Sequence, residues 1–103
     1  MEMDAFQIRD TYPIRAMTSR AEVIMNTAGD HQLKKVAKNV YEELRYSDPV
    51  SNIMLEDINL KINSELYEFE EAVISGDHEL AVAIAKTLID MIKERNVMCK
   101  GMK

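Results

Sequence analysis

One short phrase occurs twice in this chain of 103 residues, as Gly29-Asp30-His31-Gln32-Leu33 and, 47 residues later, as Gly76-Asp77-His78-Glu79-Leu80. Each reads as a turn between two helices. Gly can end one helix in the left-handed conformation, and Asp can cap the next by accepting orphan N–H bonds. A turn of this kind at two places divides the chain into two successive helical hairpins.

A second pair of phrases marks where each hairpin begins. Arg9 to Ile14 and Arg45 to Val50 share an Arg, three residues, a Pro and a β-branched residue. Proline is tolerated at the first helical position, where its missing N–H costs nothing, so Pro13 and Pro49 are expected to start helices, with Asp48 capping the latter. The expected helices are residues 13–28, 31–46, 49–75 and 78–99. Their apolar positions recur at spacings of three and four, as in Ile14, Met17, Ala21 and Ile24, or Leu80, Ile84, Leu88 and Met91. Three Gly, two Pro and abundant Ala, Glu, Lys, Leu and Met agree with a mostly helical chain. The expected fold is all-α: two consecutive αα-hairpins, 13–46 and 49–99, forming an antiparallel up-down four-helix bundle in one domain, 13–103, after an N-terminal segment, 1–12.

The expected lengths do not match. A third helix of about 27 residues spans roughly 40 Å, against roughly 24 Å for each helix of the first hairpin. The surplus carries Ile53, Met54, Leu55 and Ile58, beside Met91, Ile92, Met98 and Cys99 at the end of the fourth helix. An apolar end of that size needs a cover. Phe6 and Ile8 of the N-terminal segment are one candidate and a second copy of the chain is the other. The homodimer is the favoured expectation, with Ile53, Met54, Leu55, Ile58, Met91 and Met98 as its interface.

The candidate chemistry is sparse. His31 and His78 occupy matched turn positions, but neither has the His or Glu three or four residues away that helical metal sites use, so no metal or cofactor is expected. Cys99 stands alone, which fits a reducing compartment, and the N-terminus is acidic where a secretory signal is basic, so a cytoplasmic setting is expected. The longest apolar run, Leu80 to Ala85, is too short to span a bilayer. A net charge of −5 argues against nucleic acid as a partner. From Asp48 to Glu79 the chain is strongly acidic, with Lys61 the lone cation, and this reads as a solvated helix face. Arg95 continues the apolar stripe of the fourth helix. It is expected to extend its charged end into water along its stem, and it is the one inward cation that could meet an anionic ligand.

Ser75 to Ala81, with Asp48-Pro49, resembles the turn and stop of tetratricopeptide hairpins, although the 47-residue unit departs from the 34 of that family. Leu88 to Arg95 is similar to the first helix of small helical chorismate mutases, but at the opposite end of the chain. Neither resemblance assigns a family. The sequence contains no phosphate loop and no nucleophile elbow. It therefore favours a protein that acts by binding another protein, itself first. The alternative is a small helical enzyme or ligand binder with an inter-helix pocket for an anionic molecule.

Overall fold

The computed structural model describes residues 11–101, and the expected covering role of Phe6 and Ile8 lies outside them. Among the described residues there are four helices, α1 (Tyr12–Thr27), α2 (His31–Arg45), α3 (Glu56–Ser75) and α4 (His78–Gly101), with a short 3-10 turn, Ile53–Leu55, leading into α3. The four-helix, two-hairpin reading of the sequence is what the chain adopts.

The apolar stripes meet in one core. Ile14, Met17, Ala21 and Ile24 of α1 face Leu33, Ala37, Val40 and Leu44 of α2, and Ile62, Leu66, Phe69 and Val73 of α3 face Ala81, Leu88 and Ile92 of α4. The repeated turn phrase acts as a cap both times. Asp30 accepts a hydrogen bond from Leu33 N at 2.8 Å and Asp77 one from Leu80 N at 3.1 Å. The glycines differ. Gly76 closes α3 in the left-handed region at φ 75°, whereas Gly29 has no positive φ because Ala28, in an extended conformation, already ends α1. The left-handed ending expected at both turns is thus present at one.

The hairpins lie side by side in an order that the sequence does not announce. Asp30, at the start of α2, contacts His78, at the start of α4, and Ser47, just beyond α2, bonds Asn96 near the end of α4. These two helices are therefore adjacent and parallel. Arg20 of α1 likewise reaches Tyr67 and Glu70 of α3. Within each hairpin the helices are antiparallel; across the seam between hairpins, like packs on like.

The third helix is shorter than expected. Residues 49–55 do not extend it: Pro49 lies in a connecting loop, and Asp48 accepts from Val50 N at 3.0 Å, two residues on, which is a turn contact and not a helix cap. The loop folds across the end of the bundle, so the expected open apolar end is closed. Leu55, Ile92 and Cys99 are buried beneath it.

Candidate functional site

The loop is held by Arg95. This side chain is fully buried, contrary to the expectation that it reaches water, and it carries its charge under the 46–52 segment. One terminal nitrogen donates to the Asp48 carbonyl and to Asn96 Oδ1, and the other donates to the Val50 carbonyl at 2.7 Å and Ser51 Oγ at 3.0 Å. An arginine fork suits this arrangement because its donors sit in a fixed plane. Burial pushes the guanidinium pKa down, and the nearby Cys99 and Asp48 oppose that shift. Both terminal nitrogens are thus committed to the loop, which corrects the reading of Arg95 as an anion contact. No residue pattern signals this, because two of its acceptors are backbone carbonyls of a loop 44 to 47 residues away in the chain.

Above the same loop, between α1 and α3, runs a groove of about 760 Å³. Tyr12, Pro13, Ala16 and Arg20 form its α1 wall; Ile53, Leu60, Asn63 and Tyr67 form the opposite wall, with Ser51 and Asn59 along the loop side. Arg20 ties the walls together at one end. Its guanidinium bonds Glu70 at 2.8 Å and the Tyr67 hydroxyl at 3.0 Å, and it lies 4.2 Å from the Tyr67 ring centroid. Hollows on the α2–α4 side are smaller, about 260 and 480 Å³.

The exposed apolar residues of α3 and its leading turn have a period of their own. Ile53, Leu60, Tyr67 and Ile74 recur every seven residues, and they are 79%, 61%, 49% and 66% exposed. Seven residues are close to two helical turns, so Leu60, Tyr67 and Ile74 form a line along one side of α3, and Ile53, in the 3-10 turn before it, lines the same groove as Leu60 and Tyr67. The core stripe of Leu55, Ile58, Ile62, Leu66, Phe69 and Val73 runs along another side. The sequence reading followed a single stripe along this helix and left Leu60, Tyr67 and Ile74 unassigned, placing only Ile53, at the helix end. The seven-residue spacing from Ile53 was the available signal.

The six residues expected to form an interface are split by the structure. Ile53 and Met54 are exposed, Met91 and Met98 are half-buried against the core, and Leu55 and Ile58 are buried in it. Leu55 and Ile58 have no surface to offer a partner; they pack inward because the chain has turned at 49–52. The matched histidines are also separated in role. His78 Nε2 lies 2.6 Å from Asp30 Oδ2, and the backbone bond from Leu33, followed by His78, holds the Asp30 carboxyl below its ordinary pKa. His31 is exposed. Among the described residues no three of His, Cys, Asp and Glu converge on a point that could hold a metal ion, and no helix is long and apolar enough to cross a membrane.

The sequence matches no protein-family profile, no curated protein and no solved structure.

Proposed function

We propose that this protein acts by binding, and that the face formed by α1 and α3 receives an amphipathic helix of another polypeptide. The observation that carries this reading is the outer line Ile53, Leu60, Tyr67 and Ile74, three of whose members also wall the groove. Exposed apolar residues scattered singly need no explanation, but a line at helical period beside a groove is the arrangement that a second helix recognises through its own apolar positions. Aliphatic and aromatic side chains on the groove walls alternate with uncharged polar ones, and the cation among the lining residues, Arg20, is already paired with Glu70. These features support a protein ligand over a small anion. The reading sets the protein in the cytoplasm, where the lone thiol of Cys99 stays reduced.

The test is a display library of helical peptides selected on the intact protein, with each binder re-measured on Leu60→Ser and Ile53→Ser. Both sites are exposed, so these variants keep the fold and the charge. Helical binders weakened at least tenfold by either change support the reading. Binders indifferent to both changes, or a selection that yields no helical binder, overturn it.

A further inference from the structure

The partner helix has a definable charge. Resting on the docking face just described, we infer that its occupant is a basic amphipathic helix from a different protein and not a second copy of this chain.

The positions three and four residues after each of the first three members of the outer line flank it on the helix surface. They are Glu56, Asp57, Asn63, Ser64, Glu70 and Glu71: four carboxylates and no cation. Over the whole of α3 there are six carboxylates against Lys61. Glu70 is engaged by Arg20, while Glu56, Asp57 and Glu71 are exposed. An apolar line bordered by one sign of charge selects a helix whose own apolar line is bordered by the other.

The same border acts against self-pairing. A two-fold dimer presents one patch to its own copy, and wherever α3 lies on the two-fold axis carboxylates would oppose carboxylates. Lys34, Lys35 and Lys38 do not relieve this, since they lie on α2, which belongs to the opposite seam. The line from Ile53 to Tyr67 covers about 21 Å at 1.5 Å per residue, so a partner segment of about four to five turns spans it.

The probe is a pair of synthetic peptides of about 18 residues, one with Leu on one helical face and Lys bordering it, the other with Glu in place of every Lys. Binding is read by fluorescence anisotropy at two salt concentrations, alongside the solution mass of the protein by light scattering across a concentration series. The expected result is a monomer that binds the Lys peptide at least about tenfold more tightly than the Glu peptide at low salt, a preference that shrinks as salt screens the exposed charges. Leu60→Ser weakens that binding although it alters no charge, which separates docking from general attraction between a cation and an acidic protein. Equal affinity for the two peptides, with both sensitive to Leu60→Ser, overturns the charge assignment and leaves the docking face standing. A dimer or larger assembly dispersed by Leu60→Ser overturns the assignment in favour of a second copy. Binding of the Lys peptide that ignores Leu60→Ser overturns both readings.

Discussion

The Arg95 guanidinium and the Val50 carbonyl, 45 residues apart in the chain, meet at 2.7 Å inside the protein. That contact, with its neighbours at Asp48 and Ser51, converts a seven-residue connection into a fixed part of the bundle. Asn96 extends it, bonding Ser47 Oγ at 2.9 Å, and Ser47 in turn bonds the Glu43 carbonyl at the end of α2. The floor of the candidate groove at Ser51 therefore depends on a residue that does not line it.

Replacing Arg95 with Ala should leave two loop carbonyls without their donors, each at a cost of about 1–3 kcal/mol. The expected loss is on the order of 3 kcal/mol in urea unfolding, a large share of the stability of a domain this small. Arg95→Lys should recover only part of it, because a single ammonium cannot present two parallel nitrogens to the loop.

Cys99 reports the same loop. Its thiol is buried and lies 3.5 Å from the Val50 carbonyl. In the native protein it should react slowly with a disulfide reagent, and Arg95→Ala should speed the reaction by at least about tenfold by lowering the free energy of local opening. An unchanged rate would show that the loop does not rely on Arg95.

The two turn glycines should respond oppositely to alanine. At Gly76 the backbone stands at φ 75°, so Gly76→Ala is expected to cost about 1 kcal/mol. A Cβ at Gly29 meets nothing within 4 Å and φ is not positive, so Gly29→Ala should be neutral or slightly stabilising, by about 0.4–1 kcal/mol at most. Thermal midpoints of the two variants measured side by side decide this.

Asp30 gives the turn region a pH dependence. Its folded pKa lies below the ordinary 3.8 through the Leu33 N–H and His78, so the stability it contributes is present above that value and is lost as pH falls through the lower folded value. Asp30→Ala should therefore be less stable than the parent at neutral pH, and the gap should close in acid below 3.8. A gap that is the same at neutral and strongly acid pH would contradict this sign.

The two long sides of α3 should separate cleanly. Phe69→Ala, in the core, should lose about 3–5 kcal/mol, whereas Leu60→Ser on the outer line should change stability by no more than about 0.5 kcal/mol. Denaturant midpoints test both.

The hairpins were readable because their signals are local. The stripe from Ile14 to Ile24 and the caps at Asp30 and Asp77 involve residues within a few turns of one another, and propensity and packing agree there. The start of α3 was not readable in the same way. Asp48-Pro49 is equally compatible with a helix start and with a loop, and the choice is made by Arg95, which arrives from the far end of the chain. The outer line was hidden for a different reason: Leu60, Tyr67 and Ile74 fall off the single stripe followed along this helix, and only the position of α1 and α4 shows which sides of α3 are already covered.

Because α1 lies beside α3 and α2 beside α4, both pairs parallel, the second hairpin repeats the first by sideways displacement and not by rotation around a closed axis. A closed ring of helices uses up its lateral contacts; a displaced series does not. Here the seam between the hairpins, α1 on α3 and α2 on α4, is the one interface that joins the two units into a single core. Each hairpin thus leaves one flank of its helices for the other, and a cut between residues 46 and 52 would leave two half-cores, each with an uncovered side.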